Sequence, residues 1–247
     1  PMRARIRAKS DLVLAGLPMA AEVVHIVAPS IGVATMAKDG DRVAAGTDVM
    51  VFKGSSHAIL LAERVMLNLL QRLSGTATLT RAFVDAVAGT KARILDTRKT
   101  TPGLKLLEKY AVRCGGGVNL RFGLGDGVLI KENHIAAAGS IAQAVEAARR
   151  AAPNLLRIEV EVERLDQLLQ CLALEEVDGV LLDNMDLDTM REAVRLRDES
   201  HRALFLEASG NMTLERARPV AGTGVDFISV GALTHSALAA DLSLRLD

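Results

Sequence analysis

The later two thirds of the chain repeat one pattern, in which a short apolar run is followed by an amphipathic stretch. Six such runs occupy residues 92–97, 127–131, 157–162, 179–183, 203–207 and 226–231. The last four recur at intervals of roughly 21–24 residues, which predicts β-α units and a parallel sheet covered by helices. Six strands favour a TIM-like α/β barrel over an open sheet. No G-x-G-x-x-G motif follows the first strand, which weakens a dinucleotide-binding alternative.

The beginning of the chain has a different pattern, with short strands separated by turns at 40–41 and 46–48 and then a helix over 58–73. We therefore expect a small N-terminal α+β lobe at 1–73 and an α/β barrel at 74–237. A tail at 238–247 is expected to return to the small lobe.

Composition excludes several classes of function. The 30 basic and 30 acidic residues cancel, so no overall field attracts nucleic acid or a membrane surface. Aromatic residues make up 2% of the chain and Trp is absent, which argues against stacking on single-stranded bases. Two distant cysteines, the lack of a long apolar run and the lack of a signal-peptide pattern predict a cytoplasmic protein.

The carboxyl ends of the expected strands carry chemically ordered residues. Barrels of this kind place function at these ends, and the loops after the last two strands commonly bind phosphate through backbone N–H groups. In chain order the ends supply cations, then carboxylates, then small residues: Arg98, Lys99, Lys131, Glu161, Asp183, Ser209, Gly210, Asn211, Gly231 and Ala232.

Clustered cations imply an anionic ligand. Like charges in one pocket repel by roughly 4 kcal/mol per close pair at an effective dielectric of 20, so such a pocket persists when a polyanion fills it.

Glu161 and Asp183 have two open interpretations, which are ion pairing with these cations and stabilisation of Mg²⁺ or of a developing oxocarbenium ion. His134 and His235 follow strand ends and are further candidates. No zinc spacing, G-x-S-x-G elbow or P-loop occurs.

Several blocks of sequence closely resemble the nicotinate-nucleotide pyrophosphorylase family, also called quinolinate phosphoribosyltransferases. The most specific block is D-T-R-K-T-T-P-G at 96–103. Further blocks follow in the family's order over nearly the whole chain: E-K-Y-A-V-R-C-G-G-G at 108–117, L-I-K-E-N-H at 129–134, L-L-D-N at 181–184, L-E-A-S-G-N at 206–211 and V-G-A-L-T-H at 230–235.

The resemblance implies a small sandwich lobe and an open seven-stranded α/β barrel. It implies transfer of phosphoribose from phosphoribosyl pyrophosphate to quinolinate with Mg²⁺, releasing pyrophosphate and CO2 in NAD biosynthesis. Lys131, Glu161 and Asp183 take the catalytic roles, with the two carboxylates facing the ribose and Mg²⁺. Substrate-binding positions are Arg64, Thr97, Arg98, Lys99, Arg121, Lys131, Ser209, Gly210, Asn211, Val230, Gly231, Ala232 and His235. The family is dimeric, with Arg64 reaching into the partner's barrel, and larger assemblies of dimers are compatible with this.

Two departures from the family pattern leave alternatives open. Leu120 stands where the family commonly has a histidine, which removes one donor to a substrate carboxylate. Family members also carry some tens of residues before Arg3, including a helix of the small lobe. The alternatives are a pyrophosphorylase-like paralogue with another acceptor, of the kind found in molybdenum transport clusters, and an inactive barrel that only binds ligands.

Overall fold

A computed structural model describes residues 2–247. Its elements in chain order are β1 (Met2–Ala8), β2 (Leu12–Val13), α1 (Leu17–Val27), β3 (Gly32–Thr35), β4 (Arg42–Val43), β5 (Asp48–Gly54), α2 (Ser56–Ala86), β6 (Arg93–Leu95), α3 (Lys105–Cys114), β7 (Val128–Ile130), α4 (Glu132–Ala138), α5 (Ile141–Ala151), β8 (Ile158–Val162), α6 (Leu165–Leu172), β9 (Gly179–Asp183), α7 (Leu187–Glu199), β10 (Phe205–Ser209), α8 (Leu214–Ala221), β11 (Phe227–Ser229), α9 (Ala232–His235) and β12 (Leu242–Leu246). No helix in this described part is both long enough and apolar enough to cross a membrane.

The chain forms two compact units that each draw on separate stretches of sequence. Unit 1 contains the residues up to Val84 together with Lys99–Val118 and Ala232–Asp247. Unit 2 contains Asp85–Arg98 and Asn119–Gly231. Residues 99–118, which the sequence pattern groups with the barrel, belong to unit 1.

Unit 1 is built on an antiparallel sheet of order β12-β1-β5-β3. The C-terminal strand β12 pairs with β1 in the register Ile6↔Leu244. Alternate residues of β1 and β5 point into a core against α2, where Ile6, Met50, Phe52 and Met66 are fully buried or nearly so. Burial of such side chains contributes roughly 1.5–3 kcal/mol each and holds the sheet against the helix.

Helix α2 is longer than the sequence pattern predicts. We expected a helix over 58–73, whereas it runs over Ser56–Ala86, so the boundary expected at 73 lies inside a continuous helix. The added segment begins with small and hydroxyl residues, so its apolar residues show only a weak helical spacing. Its hydroxyls bond within unit 1, since Ser74 Oγ accepts from Ala15 N at 3.1 Å and Thr78 Oγ1 from Val13 N at 2.9 Å. These tertiary bonds override the low propensity of Ser and Thr for helices.

Unit 2 confirms the α/β class and the six expected strands. Its sheet has the order β6-β11-β10-β9-β8-β7, and each neighbouring pair is parallel. Helices follow the strands in the β-α order that the repeated pattern predicts. Because parallel strands run in one direction, their carboxyl ends lie on one edge of the sheet, which we call the carboxyl edge.

Strand β8 shows why this edge is charged. Ile158, Val160 and Val162 are buried apolar residues, and the alternating positions on the other face are Glu159 and Glu161. A strand alternates its side chains between the two faces of a sheet. One face of β8 therefore supplies the apolar core while the other carries two carboxylates, of which Glu161 lies nearer the carboxyl edge.

Candidate active site

An ion pair links two neighbouring strands at the carboxyl edge. Lys131 directly follows β7, and its Nζ donates to Oε2 of Glu161 on β8. The Lys131 side chain is 47% exposed and that of Glu161 is 15% exposed, so the ammonium faces solvent while its partner is largely enclosed. An anionic ligand can therefore approach the ammonium group from the solvent side.

Helix α4 begins immediately after Lys131 and fixes its backbone. The Lys131 N–H donates to His134 Nδ1 at 3.0 Å, and the Lys131 carbonyl accepts from Ile135 N at 3.0 Å. The candidate His134 thus bonds the N-terminus of α4, which is an ordinary capping role.

The turns that follow β9 and β10 meet at the same edge, and together we call them the Gly210 loop. Asn184 bridges them, because its Nδ2 donates to Asp183 Oδ2 at 2.9 Å and its N–H donates to the Ser209 carbonyl at 3.0 Å. Asn211 Nδ2 donates to Asn184 Oδ1 at 3.3 Å. Asp183 and Ser209 are also partners in the register of the two strands. This network brings three candidate positions together, namely Asp183, Ser209 and Asn211.

The backbone of this loop is strained in a way that glycine permits. Gly210 has a φ of 97°, and a Cβ there would lie 2.1 Å from Asn184 Oδ1. Asn184 and Asn211 also have positive φ, of 53° and 43°. Strained residues persist where the surroundings over-determine them, and they cluster at ligand sites. The loop is thus suited to close approach of a phosphate to the backbone.

Arg121 is held in place by groups of the same unit. At the end of β6, the fully buried Asp96 accepts from Leu120 N at 2.8 Å and from Asn119 Nδ2 at 2.6 Å. Arg121 Nη1 donates to the Gly127 carbonyl at 2.9 Å. Burial lowers the pKa of Arg121, and the charge of Arg98 lowers it further. Two candidate cations of different loops therefore act on each other electrostatically.

Two buried carboxyl groups lie on the same face, further from the edge. Glu207 is fully buried and Glu159 is 8% exposed. Both oxygens of Glu207 and Oε1 of Glu159 are buried without a hydrogen-bond partner of good geometry among the described residues. Burial raises the pKa of Glu207 to about 7, against the opposing effects of Ser229, Glu159 and the Arg121 charge. Burial, and then repulsion by Glu207, raises the pKa of Glu159.

Other predicted positions have simpler surroundings. Thr97 is half-buried and Arg98 is exposed, both directly beyond β6. The Val230 N–H donates to the Leu95 carbonyl at 2.9 Å, so the sheet already uses that amide. Gly231 follows it at the end of unit 2.

Four predicted positions belong to unit 1. Arg64 is exposed on α2, Lys99 is exposed at the start of the 99–118 segment, and Ala232 and His235 form the two ends of the short helix α9. His235 Nδ1 lies 2.6 Å from Ser236 Oγ.

Sequence reasoning gave no role to Asp96, Asn184 or Glu207. For Glu207 the available signal was an acidic residue inside an otherwise apolar strand, which is seldom buried without a purpose. For Asp96 the partners lie 23 and 24 residues away, and no local pattern reveals them.

Taken together, the carboxyl edge of unit 2 carries candidate cations, a largely enclosed carboxylate at Glu161, a half-buried carboxylate at Asp183 and a glycine loop. Among residues 2–247 no group of three or more His, Cys, Asp or Glu side chains could hold a metal by itself. The arrangement suits a ligand that is both acidic and phosphorylated and that becomes cationic as it reacts.

Comparison with known families agrees with this chemistry. The model of the quinolinate phosphoribosyl transferase C-terminal domain matches residues 76–245, and that of the N-terminal domain matches residues 1–74.

Curated relatives point in the same direction. The chain is 46% identical to a probable nicotinate-nucleotide pyrophosphorylase (carboxylating) of Synechocystis, over 99% of this chain and 82% of that protein. It is 52% identical to the Mycobacterium leprae nicotinate-nucleotide pyrophosphorylase (carboxylating), over 85% of this chain and 73% of that protein. The solved nicotinate-nucleotide pyrophosphorylase of Francisella tularensis superposes with a TM-score of 0.95 at 42% identity, covering 100% of this chain and 86% of that one.

Proposed function

The chain belongs to the quinolinate phosphoribosyltransferase family, and on that premise we propose that it transfers phosphoribose from phosphoribosyl pyrophosphate to quinolinate in NAD biosynthesis. The products are nicotinate mononucleotide, pyrophosphate and CO2. The observation that carries this proposal is the carboxyl edge of unit 2, where the Lys131–Glu161 ion pair lies on strands beside Asp183 and the Gly210 loop.

Cations bind the acceptor in this proposal. Quinolinate presents two carboxylates, and Arg98, Arg121 and Lys131 of unit 2 offer charge-assisted hydrogen bonds to them. The ammonium group of Lys131 forms an ion pair with Glu161. A substrate carboxylate therefore competes with the Glu161 carboxylate for this ammonium group. The family resemblance adds Lys99 and, from a partner subunit, Arg64.

Carboxylates stabilise the reacting sugar. As the bond from the ribose carbon to pyrophosphate breaks and the pyridine nitrogen bonds to that carbon, positive charge develops on the ribose. Glu161 and Asp183 are placed to stabilise that charge electrostatically. Loss of the adjacent carboxylate as CO2 then leaves an electron pair on the ring carbon, which takes up a proton.

Small residues hold the 5′-phosphate. Backbone N–H groups of Ser209, Gly210 and Asn211 can approach a phosphate closely because Gly210 carries no side chain. The resemblance extends this role to Gly231, Ala232 and His235.

The donor set also fits Mg²⁺ brought by the sugar pyrophosphate. Mg²⁺ is usually held by one or two carboxylates together with substrate phosphates, and Glu161 and Asp183 provide two such carboxylates. When bound, the ion neutralises charge on the leaving pyrophosphate. We further propose that the protein is a homodimer, as the family resemblance implies. We also propose a cytoplasmic location, with which the free thiols of Cys114 and Cys171 are consistent.

A coupled assay of pyrophosphate release tests the activity. Quinolinate with phosphoribosyl pyrophosphate and Mg²⁺ is expected to release pyrophosphate and CO2 in equal amounts, and nicotinate is expected to release neither. Turnover of nicotinate without quinolinate would overturn the proposed acceptor. Turnover of neither would favour the inactive alternative, and turnover of a different acid would favour the paralogue that Leu120 allows.

A further inference from the structure

A partly buried arginine in unit 1 joins the two segments of that unit that carry proposed substrate residues. Arg72 lies in the middle of α2, and its side chain is 26% exposed. Its Nη2 donates to Glu108 Oε1 at 2.8 Å, and its Nη1 donates to the Ala237 carbonyl at 3.0 Å. Nη2 also donates to the Thr234 carbonyl. One guanidinium group therefore contacts α3, α9 and the residues just after α9.

The carboxylate of Glu108 extends this network to the loop that follows Lys99. Glu108 is fully buried, and its Oε2 accepts from Thr101 N at 2.9 Å while its Oε1 accepts from Thr101 Oγ1 at 2.7 Å. A buried carboxylate needs such partners, because an ionised group without them is strongly disfavoured. Arg72 and Thr101 together satisfy it.

A third contact ties the two segments to each other. Thr234 Oγ1 donates to the Lys99 carbonyl at 2.6 Å, and Thr234 is fully buried. The Lys99 backbone and the α9 backbone are thus fixed by one connected set of bonds.

We infer that Arg72 is a positioning residue of the transferase, which fixes the main chain at Lys99 and in α9, the two segments of unit 1 to which the resemblance assigns substrate-binding residues. This inference rests on the proposed function. A guanidinium group offers five donors in a planar fork, whereas a lysine ammonium is a point donor that cannot reach all of these acceptors at once. Small displacements of substrate-positioning groups lower catalytic efficiency strongly.

Arg72→Lys and Arg72→Ala test the inference, with Arg7→Lys as the matched control. Arg7 forms a comparable fork to a carboxylate in unit 1, with Nε and Nη2 at 2.6 and 3.0 Å from Asp48, and its side chain is 30% exposed. We expect Arg72→Lys to raise KM for both substrates by about tenfold with a smaller change in kcat, and Arg7→Lys to change neither. Added guanidinium ion is expected to lower the raised KM of Arg72→Ala, and methylammonium is not.

Thr234→Val supplies a second variant if the Arg72 variants fold poorly. It keeps the shape of the side chain but removes the hydrogen bond to the Lys99 carbonyl, so a rise in KM of about threefold is expected. Unchanged KM values in Thr234→Val and in a folded Arg72→Lys would overturn the inference.

Calorimetric titration with phosphoribosyl pyrophosphate separates this inference from the proposed function. A wild-type protein that binds phosphoribosyl pyrophosphate without turning over quinolinate would overturn the function alone, and the weaker binding expected of Arg72→Lys would still support the positioning role. A wild-type protein that neither binds nor reacts would overturn both.

Discussion

The parallel sheet of unit 2 has a carboxyl edge, where its strands end, and an amino edge, where its strands begin. The two hold their charged groups in opposite ways. At the amino edge, Asp226 accepts from Leu206 N at 2.8 Å, from Arg197 Nη1 at 2.8 Å and from Lys91 Nζ at 2.9 Å. Asp178 likewise accepts from Ile158 N at 2.7 Å and lies 3.6 Å from Arg149. Each carboxylate there fixes the start of a strand.

The carboxyl edge leaves its charges less satisfied. On the sheet face behind this edge, Glu159 and Glu207 are buried with unpaired oxygens. At the edge itself, Asn184, Gly210 and Asn211 have positive φ. Residues that bind ligands are commonly held in environments that do not favour stability, whereas the opposite face of such sheets serves stability. The difference shows that the same residue types stabilise the starts of strands at one edge and belong to the proposed binding site at the other.

The sharpest test compares two lysines, one at each edge. Lys131 and Lys91 are similarly exposed, at 47% and 51%, and each pairs with a carboxylate. Lys131→Ala is expected to lower kcat/KM by about 1000-fold, equivalent to about 4 kcal/mol of transition-state stabilisation, because it removes a cation from the acceptor site. Steady-state kinetics and urea unfolding would measure activity and stability separately.

Lys91→Ala is the control for this comparison. It is expected to leave kcat/KM within about twofold, and both variants are expected to unfold within about 1 kcal/mol of the wild type, since partly exposed ion pairs contribute little. Near-normal rates in Lys131→Ala would mean that the assigned acceptor site is wrong.

The buried pair predicts an unusual dependence of stability on pH. The folded-state pKa of Glu207 is raised to about 7, above its unfolded value, so the native state binds more protons than the unfolded state between about pH 4.5 and 7. Stability therefore falls as pH rises through this window. Glu207→Gln removes the ionisation and is expected to stabilise the protein by up to about 3 kcal/mol at pH 8, with little gain at pH 5. Denaturant unfolding at both pH values checks this.

Glu207→Gln is also expected to change kcat/KM, because the charge of Glu207 acts on Arg121, a proposed acceptor-binding residue. A stability gain that is equal at pH 5 and pH 8 would show that the carboxyl group of Glu207 is not a source of the pH dependence.

Asp226→Asn is expected to have the opposite effect on stability. Burial acts to raise the pKa of Asp226, but Lys91, the Leu206 amide and Arg197 together outweigh it and lower that pKa. The contribution of Asp226 to stability is therefore present above its unfolded pKa and is lost as pH falls through the folded value. The variant should lose about 2 kcal/mol at pH 7 while kcat/KM stays within about twofold. Thermal unfolding with parallel kinetics measures both. A large loss of activity in the folded variant would break the division between the two edges.

The sequence could predict most of unit 2 and little of what supports its site. The six strands were identified because each is a short apolar run, and their shared carboxyl edge follows from parallel pairing alone. Helix α2 was predicted too short because the hydroxyls of Ser74 and Thr78 find partners some 60 residues away. The roles of Asp96, Glu108 and Glu207 depend on such distant contacts, which no local period encodes.

Leu120→His gives the smallest expected effect and tests how complete the carboxyl edge is. The backbone at this position is already fixed, because Leu120 N and Asn119 Nδ2 both donate to Asp96. The Leu120 side chain is half-buried beside Arg121, so an imidazole there would add a donor for a substrate carboxylate without new ordering of the chain. We expect KM for quinolinate to fall by about threefold to tenfold, or about 1 kcal/mol. The gain should be larger at pH 6 than at pH 8, since imidazole is protonated below about pH 6.5.

Leu120→Phe controls for size alone and is expected to bring no gain. Equal KM values in the wild type and Leu120→His would place this side chain outside the acceptor site, and a KM that rises would indicate that the apolar side chain of Leu120 contributes to the acceptor preference of this enzyme.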